Sequence, residues 1–266
     1  MRHLPFPLLV FCALAGGTAG LVTAPAAARS DTIAAEAPPV GPFDRVEISG
    51  NAELILVQGD REAVLVEASP KARSRIRVRS RDGRLRIDTS ENASWWSWFA
   101  GGGGRRPTIT VYFKSLESLE MSGAIKATSD AIRSPKLRVN ASGAASMKVG
   151  ALNVEALLFS GSGAVKGDFA GSATEQKISI SGAGAYRAPK LVSETAAVTV
   201  SGAGKVVVNA RKKLDASISG AGAIEYFGDP VLKQQVSGAG KITRRSSSAV
   251  DPAHLRAALK TRTGIG

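Results

Sequence analysis

From Phe43 onward, apolar residues recur at every second position, in short runs broken by one small-residue motif. The motif is Ser-Gly-Ala-Gly or a close variant, read at Ser122, Ser142, Ser160, Ser181, Ser201, Ser219 and Ser237. Its intervals are 20, 18, 21, 20, 18 and 18 residues. Met121, Ala141, Phe159, Ile180, Val200, Ile218 and Val236 stand directly before the serines, and Leu119, Val139, Leu157, Ile178, Val198, Ala216 and Gln234 two residues earlier. Between these columns lie Glu120, Asn140, Leu158, Ser179, Thr199, Ser217 and Gln235, mostly polar. That is apolar-in, polar-out at the period of a β-strand. A further inward column follows the glycines: Ala127, Met147, Val165, Tyr186, Val206, Ile224 and Ile242.

Each unit is a short strand, a glycine bend and a second short strand, which cannot bury its apolar face alone. Stacked units share one core. The pattern predicts an all-β fold: a parallel, β-helix-like β-solenoid of about seven coils over residues 116–243. An antiparallel sandwich with glycine-rich turns is the rival, but it has no reason to hold one motif at near-constant spacing.

Residues 43–115 read as a less regular N-terminal β cap of the same solenoid, because a solenoid end must be covered. Ser49-Gly50-Asn51-Ala52 is a worn copy of the repeat. Ile76 and Val78 alternate with arginines, Asp82-Gly83 marks a turn, and Leu85 and Ile87 resume the alternation, which predicts a hairpin. A loop from Glu91 to Pro107 follows, then strand-like Ile109, Val111 and Phe113. Residues 244–266 form a basic tail, in which Asp251-Pro252 starts a short helix through Leu259.

Composition adds compartment and charge. Arg2 and His3, the apolar run Leu8 to Leu14 and the small residues Ala24 to Ala28 make residues 1–28 an export signal. Residues 29–42 are an Ala/Pro-rich stretch expected to be a flexible leader. The apolar run is too short to cross a bilayer, so the mature chain is expected to have no transmembrane span. Cys12 is the only cysteine and lies inside the signal, which leaves disulfides no role. Without Arg2, 34 basic side chains face 22 acidic ones, a formal charge of +12. That balance favours acidic glycan, anionic lipid or another envelope protein as partner. Nucleic acid fits poorly with export.

The repeated Ser-Gly-Ala-Gly, the opening Phe43…Val46…Ile48…Gly50 and the Tyr226-Phe227-Gly228-Asp229-Pro230 step before the last motif resemble the bacterial head GIN domain family. Its members are described as putative auto-transporter adhesins, and the domain also as one of unknown function. The match runs over about residues 43–243. It implies an exported, β-helix-like head for the cell envelope and brings no catalytic residues. An auto-transporter's membrane barrel needs many alternating strands, which the 23 residues from 244 to 266 do not supply.

Three surface features are candidate sites. Arg73, Arg75, Arg77, Arg79, Arg81, Arg84 and Arg86 would give a patch for phosphates or carboxylates. A solvated face that discourages strand aggregation is the plainer reading. Trp95, Trp96, Trp98 and Phe99 could grip a sugar ring or membrane interface when exposed, or plug the solenoid when buried. The serines of the corners would stack into a hydroxyl ladder, joined by Ser179, Thr199 and Ser217. Such a ladder suits a glycan or an ice-like water lattice, although turn chemistry alone would choose the same residues.

Catalysis lacks its parts. His254 is the single histidine after the signal, and no nucleophile elbow, metal-ligand cluster or phosphate loop is present, so neither metal nor cofactor is expected. Asp130 with Asp168, and Glu155 with Glu194, read as carboxylate pairs two coils apart. At roughly 10 Å they stand too far apart for a retaining glycosidase. The sequence thus predicts a non-enzymatic adhesin or surface-binding protein, with a periplasmic scaffold as the alternative and a polysaccharide-cleaving enzyme third.

Overall fold

The structure is a computed structural model that describes residues 33–36, 40–89 and 106–246. The stretch expected to be a signal, most of the expected leader, the tryptophan segment and the residues beyond Ser246 lie outside the described residues. Strands dominate: β1 (Ile33–Glu36), β2 (Arg45–Gln58), β3 (Ala63–Ala68), β4 (Arg77–Arg81), β5 (Arg84–Thr89), β6 (Thr108–Phe113), β7 (Ser118–Gly143), β8 (Ser146–Gly163), β9 (Lys166–Gly182), β10 (Ala185–Gly202), β11 (Lys205–Gly220), β12 (Ala223–Phe227), β13 (Val231–Ser237) and β14 (Lys241–Arg244). One helical turn, α1 (Pro70–Arg73), is capped by the Ser69 hydroxyl, which accepts from the Ala72 amide at 3.3 Å.

Strands β7 to β11 each wind around the molecular axis and pair in parallel with the next, as the repeat predicts. Seven corners delimit about six turns of β-solenoid. Around a turn the in–out alternation breaks three times, for example at Asp130-Ala131, Pro135-Lys136 and Ser142 to Ala144. The cross-section therefore has three sides.

The sharpest corner belongs to one glycine of each motif. Gly50, Gly123, Gly143, Gly163, Gly182, Gly202, Gly220 and Gly238 stack in one column with φ between 82° and 120°. A Cβ on any of the last six would lie 2.6–3.0 Å from the carbonyl oxygen of the glycine beneath. Only glycine tolerates both the backbone angle and the approach. The alanine after each glycine locks the stack: Ala144, Ala164, Ala183, Ala203 and Ala221 donate to the carbonyl of the column glycine one turn beneath at 2.9–3.1 Å.

One corner differs from the sequence reading. Ser162, not Ser160, stacks on Ser142 and under Ser181, while Ser160 pairs with Ser179. The corrected corner intervals are 20, 20, 19, 20, 18 and 18 residues. The misreading slipped by two residues, which keeps every side chain on its own face and so leaves the alternation intact. Phe159 then belongs with Val139 and Ile178, and Gly167 replaces Val165 between Met147 and Tyr186. The absence of a side chain at Gly167 makes room for rings, since a Cβ there would stand 2.9 Å from Phe169 and 3.1 Å from Phe159. Phe159, Phe169 and Tyr186 fill that space with centroids 5.2–5.7 Å apart.

The core also trades volume across the glycine corner. The position before the serine is small in Ala141 and Gly161 and large in Ile180, Val200 and Ile218. Three residues after the serine the order reverses, from Val165 to Gly184, Gly204 and Gly222. The two positions touch: a Cβ on Gly161 would stand 3.3 Å from Val165, and one on Gly184 2.9 Å from Ile180. In the four corners from Ser162 to Ser219 the close-packed interior holds one large group, from either side.

The two ends differ. Below, the first half of β2 lies between β7 and β5 and its second half between β7 and β6, all in parallel. The strand earliest in sequence is thus intercalated above a level formed by later residues. Strand β4 is antiparallel to β5, β3 to β6 and β1 to β3. Ile33–Glu36, inside the stretch expected to be a leader, supplies that outermost strand β1. Above, β13 pairs with β11 alone and β14 with β12 alone among the described residues.

Candidate binding face

The β4–β5 hairpin turns at Asp82 and Gly83 with φ of 52° and 72°, the left-handed pair of a tight two-residue connection. Register then decides which arginines share a face. Arg79 lies opposite Arg86, which lies beside Glu47 and then Glu120. Arg81 faces Arg84, Arg45 and Ser118 in the same way, and Arg77 faces Asp88, Ser49 and Ser122. Arg77, Arg79, Arg81, Arg84 and Arg86 therefore share the outward side of one sheet. Arg73 and Arg75 do not: Arg73 ends α1, its Nη1 donating to the Val66 carbonyl at 3.5 Å, and Arg75 lies in the following turn.

The same outward side carries the hydroxyl ladder. Ser49, Ser122, Ser142, Ser162, Ser181, Ser201, Ser219 and Ser237 form one column. Ser160, Ser179, Thr199 and Ser217 form a second, two residues away. Arginine hairpin and hydroxyl strip are thus two ends of a single face, roughly 40 Å long at strand-pair spacing. Where they meet, a shallow depression of about 310 Å³ is lined by Glu47, Ser49, Glu120, Ser122, Asn140, Ser142, Ser160 and Ser162.

Charge on this face is partly spent internally. Glu47 accepts a hydrogen bond from Arg86 Nη2 and lies 3.6 Å from Arg84. The Arg86 hydrogen bond, helped by the charges of Arg86 and Arg84 and opposed by partial burial, holds the Glu47 carboxyl below the usual carboxylate range. Arg81 and Asp82 stand 3.5 Å apart, both almost fully exposed. Arg77 and Arg79 form no ion pair with a described residue and project from the outer edge strand. Glu47 is the group the sequence reading missed. Its outward position was legible from the alternation Arg45-Val46-Glu47-Ile48, but its meeting with Arg84 and Arg86 depends on β5 lying beneath β2.

The remaining candidates fall apart or lie elsewhere. Trp95, Trp96, Trp98 and Phe99 are outside the described residues; their segment leaves after Thr89, whose hydroxyl donates to the Ser49 carbonyl at 2.8 Å. Asp130 and Asp168 do not share a register as expected: Asp168 aligns with Lys148 and Arg187, whereas Asp130 lies two residues along its own turn. The difference follows from the corner lying at Ser162, two residues beyond Ser160. Asp168 is instead held by Arg187, at 2.8 and 3.3 Å. Glu155 and Glu194 do align, with Thr174 between them, and Glu194 is paired with Lys212 at 2.8 Å. A second depression, about 540 Å³, opens where β2 leaves the stack, beside half-exposed Ile55 and Val57. There Gln58 ties the turns together: its amide donates to the carbonyls of Lys114 and Arg133 and accepts from the Arg133 amide. No helix among the described residues is long and apolar enough to cross a membrane.

Comparison with solved structures finds the same architecture. A crystal structure of a putative adhesin from Bacteroides fragilis aligns with a TM-score of 0.73 at 18% identity, covering 80% of this chain and 97% of the other. A putative lipid binding protein from Parabacteroides distasonis gives 0.63 at 17% identity, covering 82% and 98%. A putative adhesin from Parabacteroides merdae gives 0.62 at 19%, covering 82% and 97%. Identities this low establish the fold alone. No curated protein sequence matches. A family model matches residues 42–230, most of the solenoid and its cap, and the chain therefore belongs to the family described as putative auto-transporter adhesin, head GIN domain.

Proposed function

We propose that this protein is a non-enzymatic, exported adhesin of the bacterial envelope whose arginine hairpin binds anionic surfaces. The observation that carries the reading is the edge of β4. Among the described residues Arg77, opposite Asp88, and Arg79, opposite Arg86, form no ion pair, while Arg84 and Arg86 are engaged by Glu47. A row of exposed guanidinium groups on an edge strand suits carboxylate, sulfate or phosphate groups repeated along a polymer or packed in a membrane. The family description as adhesin supports a binding role. One structural neighbour is described as a putative lipid binding protein, so anionic lipid stands beside acidic glycan as ligand.

The test is adsorption of the full chain to an immobilised acidic polysaccharide and to vesicles containing phosphatidylglycerol, as a function of salt. The double reversal Arg77→Glu with Arg79→Glu should abolish retention on at least one of them, and parent binding should weaken steeply as salt rises. Arg84→Glu is the wrong probe, because it also breaks the contact with Glu47. Retention unchanged in the double variant, or insensitive to salt, defeats the proposal.

A further inference from the structure

The upper end of the solenoid is built differently from the lower. Leu232, Gln234 and Val236 of β13 occupy the inward columns of Leu214, Ala216 and Ile218. Those three predecessors are fully or almost fully buried, whereas Val236 is 44% exposed and Val231, on the outward side, is 76% exposed. The outer edge of β13 pairs with no described strand. A seven-residue edge with its N–H and C=O groups open and core residues half uncovered is a template for another strand.

The sequence of that edge identifies the strand. In an antiparallel pair, opposite residues point to the same side, so only registers that keep inward against inward are allowed. Centred on Gln234, Val231-Leu232-Lys233-Gln234-Gln235-Val236-Ser237 meets its own copy with Leu232 against Val236 twice and Gln234 against Gln234. On the outward side Lys233 then faces Gln235 and Val231 faces Ser237. On the inward side apolar meets apolar and Gln234 meets Gln234, and on neither side do like charges face each other. Centring on Lys233 sets that lysine against itself, and centring on Gln235 leaves Leu232 against Gly238.

We infer that two copies of this chain associate end to end, by antiparallel pairing of β13 across a two-fold axis at Gln234. The contact is isologous and therefore closes at a dimer. It continues both solenoid cores through the interface and sends the two capped lower ends to opposite poles. There the arginine hairpins would stand roughly 80 Å apart, taking each solenoid as about eight strand spacings long. A bivalent particle of that shape can bridge two surfaces or hold one by two contacts, which raises avidity without new ligand chemistry.

Mass measurement of the full chain in solution should give twice the chain mass, and Gln234→Pro, which removes an edge donor, should give the monomer with folded circular dichroism. In a Cys12→Ser background, Gln234→Cys should cross-link to itself under mild oxidation. Leu232→Cys alone should not, while Leu232→Cys mixed with Val236→Cys should. A monomeric parent at tens of micromolar, or a dimer in which Gln234→Cys does not cross-link, overturns the inference. Neither result bears on the arginine hairpin, whose own variants are read by adsorption.

Discussion

Replacing Gly202 by alanine tests whether the glycine column builds the solenoid or merely decorates its corners. The φ of Gly202 is 108°, beyond the region that L side chains visit readily, which costs on the order of 1–3 kcal/mol. The added methyl would lie 2.8 Å from the Gly182 carbonyl oxygen and 3.2 Å from the Gly182 nitrogen. Relief requires the two turns to part. They are joined nearby by Ala203 N to Gly182 O at 3.0 Å and by Lys205 N to Gly184 O at 2.9 Å. Weakening those two bonds adds about 1 kcal/mol each, so the expected loss is about 3–5 kcal/mol. Urea unfolding followed by circular dichroism should show a lower midpoint at unchanged slope. Gly59→Ala is the control: no atom lies within 4 Å of its added methyl and its φ is ordinary, so it should match the parent or gain up to about 1 kcal/mol. A loss below about 1 kcal/mol in Gly202→Ala would refute the reasoning.

Four further outcomes follow from the core and the face. Tyr186 is fully buried and donates to Gln176 Oε1 at 2.9 Å; Tyr186→Phe strands that amide oxygen and should cost about 1–3 kcal/mol, while adding Gln176→Leu should recover part of it, as read in a double-mutant unfolding cycle. Burial also pushes the Tyr186 phenol far above its ordinary value, so the stability it contributes is full below about pH 10 and is lost as pH rises above that; spectrophotometric titration should show this tyrosine ionising only with unfolding. Glu47 runs the opposite way: its lowered carboxyl stabilises above the unfolded glutamate value of about 4.3 and loses that contribution on acidification through its folded value, so NMR should find its midpoint below the usual range and Arg86→Met should bring it back up. Gly184→Ala should destabilise alone, its methyl 2.9 Å from Ile180, and far less when combined with Ile180→Ala; equal losses in both would break the volume-exchange argument.

How much of this was legible in the chain depends on which interactions are local. The strand alternation, the glycine corner and the Asp82-Gly83 turn are local rules, and all three stand where the residues placed them except for the corner read at Ser160. The two-residue slip at Ser160 was invisible to the same rules, because period two is satisfied by either register; only the stacking of Gly163 on Gly143 distinguishes them. The intercalation of β2 above β5 and β6 was beyond reach for a different reason. It pairs residues 39 positions apart, Glu47 with Arg86, through a level that sequence order places after β2 and space places beneath it. That one topological fact decides the electrostatics of the face. With β5 stacked on β2, Glu47 engages the inner Arg84 and Arg86, while the outer Arg77 and Arg79 form no ion pair among the described residues. Without it the seven arginines would look equivalent. The density of charge was therefore readable from the sequence, whereas its direction was set by the order in which the turns are stacked.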